Sequence, residues 1–139
     1  MDWITDSIAI GNYLEAQDKH LLTQSGIRSA LSLDGTLTPN QVEEMGLQRM
    51  VTTVLIDGPG NDLRVFGGAV ESLMYLVQTQ APVLVQCHAG RSRSVAVVAG
   101  FLMRMQDLDP DDALELVTAK REAMVASDLK HLLYNLHAG

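Results

Sequence analysis

The sequence is poor in the residues that would staple a chain, break it up or hold it in a membrane. Its one cysteine among 139 residues, Cys87, excludes an internal disulfide and any zinc or iron–sulfur centre built on several thiolates. Four prolines and 11 glycines are too few for a collagen-like or low-complexity chain. Positive charge is scarce too: 10 Lys and Arg against 17 Asp and Glu give a formal net charge of −7. Such a surface argues against a general nucleic-acid or anionic-membrane binder, while leaving room for a local basic pocket. A membrane span needs ~18 apolar residues, and the runs Pro82–Val85 and Val95–Met103 are both too short. Residues 1–25 carry Asp2, Asp6 and Glu15 and lack the Arg-led apolar stretch of a signal peptide. What is abundant is apolar side chain, 47% of the total, enough for one core of ordinary domain size. The expectation is a single acidic, cytoplasmic domain over residues 1–139, with neither nucleic acid nor membrane as a partner; the sequence leaves the oligomeric state open, a monomer being favoured.

Hydrophobic spacing predicts alternating strands and helices. Trp3-Ile4 and Ile8-Ala9-Ile10 flank Thr5-Asp6-Ser7 and predict a β-hairpin. Asn12 to Ser25 predicts one helix, with Leu14, Leu21 and Leu22 inward and Gly26 ending it. Ile27 to Leu33 predicts a strand with Ile27, Ser29, Leu31 and Leu33 on one side. Thr38-Pro39-Asn40-Gln41 has the marks of a helix start: a Thr cap, Pro at the first position and Gln to close a capping box. That helix is short and ends near Gly46. Leu47 to Ile56, rich in Val and Thr, predicts another strand. Phe66, Val70, Leu73 and Val77 fall at helical spacing, and the unbroken apolar run Pro82–Val85 predicts a strand covered on both faces.

Val95 to Met105 is apolar nearly all round and predicts a buried central helix. Asp109-Pro110-Asp111-Asp112 caps a helix running to about Met124, and Leu129, Leu132, Leu133 and Leu136 mark a last one. Met45, Met50, Met74, Met103, Met105 and Met124 read as core filler. The predicted class is α/β: a single domain with a central, mostly parallel sheet flanked by helices.

One segment carries chemistry. Val85-Gln86-Cys87-His88-Ala89-Gly90-Arg91-Ser92-Arg93-Ser94 follows a buried strand and opens a buried helix. Such a junction aims backbone N–H groups and the positive end of the helix dipole at one spot, where an oxyanion of phosphate size is held. Gly90 lets the backbone turn inward without a Cβ clash. Arg93 can fold back from the first helical turn and offer its planar fork to two phosphate oxygens. Cys87 then lies at the floor of an electropositive cradle whose field also stabilises a thiolate. A lone cysteine in an apolar strand is usually inert. This one ends its strand, is followed by polar and flexible residues, and precedes an arginine at a matching distance.

Cys87 through Arg93 fits Cys-x5-Arg, and Cys87-His88-Ala89-Gly90-Arg91-Ser92-Arg93-Ser94 resembles the phosphate loop of protein-tyrosine-phosphatase-like enzymes, specifically their dual-specificity branch. Ile8-Ala9-Ile10-Gly11-Asn12 and Leu22 to Leu33 resemble the start of the same catalytic domain, so the likeness covers nearly the whole chain. Low-molecular-weight phosphatases carry their loop near the N-terminus, rhodanese-type loops are shorter, and a Walker A loop needs a Gly-Lys-Ser/Thr that is absent.

The resemblance implies the tyrosine-phosphatase-like fold. It also implies cysteine-dependent hydrolysis of phosphomonoesters, namely phosphotyrosine and phosphoserine or phosphothreonine of proteins, through a phosphocysteine, with no metal and no cofactor. Residues 88–92 and Arg93 bind phosphate in that reading: His88, Ala89, Gly90, Arg91 and Ser92 line the cradle, with the His88 and Arg91 side chains turned outward. Relatives place a general acid on a loop roughly thirty residues before the cysteine. Asp57 stands at that distance, at the head of a Gly- and Pro-containing loop. Asp62 competes with it and reads better as the cap of the next helix. Ser94 matches the hydroxyl that helps the thiolate leave in the second step, and it also suits a helix cap.

Two departures from the family pattern stand out. Gln86 replaces the usual His before the cysteine; an amide braces by hydrogen bonding but carries no charge, which implies a working loop with a less strongly activated thiol. Arg121 to Leu129 lacks the Pro-Asn segment of many relatives, a change expected to matter little for chemistry. His20, His131 and His137 are scattered and predict no metal site. Two other readings remain open at this stage. One is a non-catalytic, phosphate-binding pseudophosphatase. The other is an enzyme of phosphoinositides, RNA 5′-phosphates or sugar phosphates, for which Arg91 and Arg64 supply only a modest basic rim.

Overall fold

Five short strands form one sheet in the order β1-β2-β5-β3-β4, in a computed structural model that describes all of residues 1–139. The hairpin pairs β1 (Asp2–Thr5) with β2 (Ile8–Gly11) antiparallel. The other contacts are parallel: β5 (Val83–Gln86) lies between β2 and β3 (Ser29–Ser32), and β4 (Arg49–Thr52) pairs with β3 at the far edge. The registers Gly11↔Gln86 and Ser32↔Gln86 bring the ends of three strands level, directly before Cys87. Ligand sites of parallel sheets lie outside such carboxyl ends.

Strand residues alternate between two cores, as the pleat requires. On one face Ile8, Ile10, Leu31, Val83 and Val85 join a cluster of 27 buried residues. The helices α3 (Leu63–Gln80), α4 (Arg93–Gln106), α5 (Pro110–Thr118) and α6 (Ser127–Ala138) cover that face. On the other face Ala9, Ala30, Leu84 and Met50 join a cluster of 10 with Ala16 and Leu22. Two short helices supply those last residues, α1 (Tyr13–Ala16) and α2 (Lys19–Gln24). The unbroken apolar run ending in β5 is the central strand, buried throughout. Helix α4 is buried from Ser94 to Met103, and Val70 lies so near Gly100 that a Cβ there would sit 2.7 Å from its methyl. The glycine therefore sets how closely α3 and α4 approach.

Several boundaries differ from expectation. Asn12 to Ser25 is two helices, because Asp18 caps Leu21 N–H at 3.0 Å and restarts the chain. That break leaves Leu14 61% exposed rather than inward. Strand β3 is only Ser29–Ser32 and is buried on both faces, while Arg28 before it is exposed. The capping-box segment makes only a 3₁₀ turn, Pro39–Gln41, followed by further turns. The Leu47–Ile56 stretch yields four strand residues, and Val54 and Ile56 are exposed beyond them. Helix α5 ends at Thr118 instead of near Met124, and residues 122–126 run without helix to α6. Met45, Met50 and Met103 are buried, whereas Met105 and Met124 face solvent and are not core filler.

Candidate active site

The loop between β5 and α4 is built inside out. Every carbonyl along its outer rim is engaged. His88 O accepts from Tyr13 N–H at 3.0 Å and Arg91 O accepts from Met124 N–H at 3.0 Å. Arg121 donates from Nε to Gly90 O and from a terminal nitrogen to Ala89 O at 3.4 Å. A peptide's C=O and the following N–H point opposite ways, so tying the carbonyls outward turns the amides inward. None of the N–H groups of residues 88–92 has an acceptor within the protein. Several convergent amides at a helix N-terminus form a site for an oxyanion.

Gly90 makes this curl possible. Its φ is +68°, and a Cβ would stand 2.6 Å from both Gly11 O and the Arg121 guanidinium. Arg121 is itself nearly buried, pairs with Asp2 at 3.0 Å, and donates to Ile10 O at 3.1 Å. It therefore ties the loop to the first two strands.

Cys87 lies at the cradle's floor, buried, with the Ser94 N–H directed at its Sγ at 3.5 Å. Arg93 opens α4, and one terminal nitrogen is fixed on Leu55 O at 3.0 Å. Its Nε is buried and has no protein partner, and neither has the buried Ser94 hydroxyl. Buried polar groups are rarely left so, since each unmade bond costs roughly 1–3 kcal/mol. Here the unpaired donors belong to the two residues that open the helix after the loop, and Arg93 lines the same cavity as Cys87.

Behind the loop, Gln86 is fully buried in a polar relay. Its Nε2 donates to Asp34 Oδ1 at 2.7 Å and to Cys87 O at 3.1 Å, while its Oε1 accepts from Ser32 Oγ at 2.7 Å. Partial burial pushes the Asp34 carboxyl up. Hydrogen bonds from the Thr36 N–H, the Gln86 amide and the Thr36 hydroxyl, with the charge of Arg93, outweigh this and hold it below the usual aspartate range.

The cradle opens into a cavity of about 340 Å³ lined by Asp57, Cys87, His88, Ala89, Arg91, Ser92, Arg93 and Met124. Asp57 is thus brought to the pocket, and its Oδ1 accepts a hydrogen bond from Ser92 Oγ. Asp62 is not; it caps α3, taking Arg64 N–H at 2.7 Å. The imidazole of exposed His88 lies flat on the Tyr13 ring, centroids 4.3 Å apart, at the pocket's edge. Arg91 is also exposed and lines the pocket.

Sequence reasoning missed Arg121, Tyr13 and Met124. A Lys-Arg pair after a helix reads as solvated surface, and nothing local signals that Arg121 reaches back to the loop. The segment expected to matter little supplies Arg121, the Met124 N–H and the Ala126 N–H to the loop.

The arrangement presents a nucleophilic sulfur beneath a ring of donors fit for a tetrahedral oxyanion, with a carboxyl at the rim. Comparison with known proteins gives the same direction. Residues 8–138 match the family model described as dual specificity phosphatase, catalytic domain. The chain is 30% identical over 122 residues to the dual specificity protein phosphatase MPK-4 of Drosophila melanogaster, an alignment covering 87% of this chain and 32% of that protein. It is 30% identical over 119 residues to the Arabidopsis thaliana dual specificity protein phosphatase 1B, covering 85% of this chain and 70% of that one. The chain thus spans about a third of the Drosophila relative's length. Among solved structures, the human tyrosine phosphatase-like serine/threonine/tyrosine-interacting protein superposes with a TM-score of 0.84 at 25% identity, over 99% of this chain and 95% of that one.

Proposed function

The chain belongs to the dual specificity phosphatase catalytic-domain family, and from that premise we propose that it is a cysteine-dependent phosphatase acting on phosphotyrosine and on phosphoserine or phosphothreonine of proteins. The observation that carries this reading is the cradle itself: inward amides and the unpartnered Arg93 Nε converge above Cys87.

In the first step the Cys87 thiolate attacks phosphorus, forming the S–P bond as the P–O bond to the leaving group breaks. The loop amides and Arg93 hold the three equatorial oxygens, where transition-state charge resides. Arg93 suits this because Leu55 O fixes one of its nitrogens and leaves Nε free. Asp57, protonated, gives its proton to the departing oxygen. In the second step Asp57 accepts a proton from the water that attacks phosphorus, and the S–P electron pair returns to sulfur. The Ser94 hydroxyl, buried and unpaired on the residue whose N–H already faces Sγ, donates to that leaving thiolate. No step asks for a metal or cofactor. A thiolate nucleophile works only while reduced, which supports a cytoplasmic setting.

Hydrolysis of p-nitrophenyl phosphate across pH 5–8, with EDTA present and Cys87→Ser in parallel, tests the proposal. Turnover that persists in EDTA and disappears in Cys87→Ser is the expected result. A folded wild-type protein that binds orthovanadate yet turns nothing over would make the chain a phosphate-binding module instead.

A further inference from the structure

The Ser92 side chain serves three segments at once. Ser92 belongs to the phosphate loop, is 6% exposed, and its Oγ accepts the Ala126 N–H at 3.0 Å. Its hydroxyl donates to Asp57 Oδ1, which comes from the loop after β4. A serine hydroxyl has one proton and two acceptor sites. With Ala126 filling an acceptor site from α6's leading segment, the rotor is set and the proton is aimed at Asp57.

Asp57 has little else to hold it. It is exposed, its loop contains Gly58, Pro59 and Gly60, and its side chain makes no other hydrogen bond. Nearby backbone order comes from Asn61, which clasps Ile56 N–H and O at 2.8 and 2.7 Å, but Asn61 does not touch the carboxyl.

We propose that Ser92 is the positioning residue of the general acid: by occupying Oδ1 it leaves Oδ2 as the oxygen that carries the proton to the leaving group and later takes one from water. This rests on the catalytic reading above. A hydroxyl donor to Oδ1 is compatible with both states, because Oδ1 remains an acceptor whether Oδ2 is protonated or not. It also means that the acid is docked on the phosphate loop before any substrate arrives.

The prediction concerns leaving groups. Proton donation matters most when the departing oxygen is strongly basic and least when it is a good leaving group. Loss of the Ser92 hydroxyl should therefore lower kcat/KM, which reports only the steps through departure of the leaving group, about tenfold more for phenyl phosphate than for 2,4-dinitrophenyl phosphate. Asp57→Asn should show the same selectivity more strongly, and Ser92→Ala should add little in the Asp57→Asn background. Ser92→Thr, which keeps the hydroxyl, should restore the wild-type ratio. Ser92→Cys under reductant, with its weaker donor, should fall between.

Equal losses of kcat/KM on both esters, or a parallel loss of orthovanadate affinity with no change in their ratio, would mean that Ser92 only shapes the loop and would overturn the proposal. If Ser92→Ala fails to fold, the contrast between the Thr and Cys variants decides it. Failure of the catalytic reading would look different, since the wild-type protein would then hydrolyse neither ester.

Discussion

Two arginines serve the loop between β5 and α4 from opposite sides, and they are organised in opposite ways. Arg121, outside, has its guanidinium nitrogens engaged with Gly90 O, Ala89 O, Ile10 O and Asp2. Arg93, inside, spends one nitrogen on Leu55 O and leaves a buried Nε unmatched. The same division runs through the backbone: carbonyls of residues 88–91 are taken on the outer rim, and amides of 88–92 are free on the inner face. Saturated hydrogen bonding builds the wall, and unsatisfied hydrogen bonding is kept for the guest. The cost of those inward orphans is offset by the outer ties, which prevent the loop from relaxing to pair them internally.

Substituting the two arginines in parallel tests this division most severely. Arg93→Met should lower turnover by about a thousandfold, the scale of losing a transition-state oxyanion donor. Its folding stability should change little, because removal of an unpaired buried donor offsets the lost bond to Leu55 O. Comparable destabilisation in urea would break the comparison.

Arg121→Met is the converse and the next in size. It strands two loop carbonyls and Asp2, and should cost about 2 kcal/mol of stability. The residual fold should bind orthovanadate more weakly because Gly90 and Ala89 are no longer tethered. A shift in the urea midpoint without loss of vanadate affinity would show that the outer wall is not what orients the amides.

The smallest effect concerns the acid limb. Asp34 is held ionised below the ordinary aspartate value, so it stabilises the folded state above about pH 4. That contribution fades as pH falls from there through its depressed folded value, when the unfolded chain already binds the proton. Asp34→Asn should therefore flatten the acid-side loss of stability below about pH 4. An unchanged slope would sharpen the picture differently, assigning the relay behind Cys87 to the Gln86–Ser32 bond alone.

The inner half of this design was legible in the sequence and the outer half was not. Cys87, Gly90 and Arg93 sit on one short stretch between a strand and a helix, so their meeting follows from local geometry. The Asp62 cap, the hairpin and the buried run of β5 were legible for the same reason. Arg121, Asp2 and Asp34 reach the loop only through the folding of distant segments, and each resembles ordinary surface charge in its own neighbourhood. The single predicted helix over 12–25 failed because apolar spacing carried across Asp18, whose cap restarts the backbone. Gln86 was read as a loop brace, but its partners could not be foreseen, since Ser32 meets it only through the parallel pairing of β3 with β5 and Asp34 lies two residues beyond that pair.

Met124 stands at the mouth of the cavity with 82% of its surface exposed, while Met45, Met50 and Met103 are locked in the interior. In spectroscopic terms the protein carries its own beacon. A methionine labelled at the terminal methyl gives a sharp resonance when the side chain tumbles freely and a broad, displaced one when it is packed. The Met124 signal should thus report occupancy of the neighbouring cradle without a dye, a tag or turnover, and register even a guest that Cys87 never attacks.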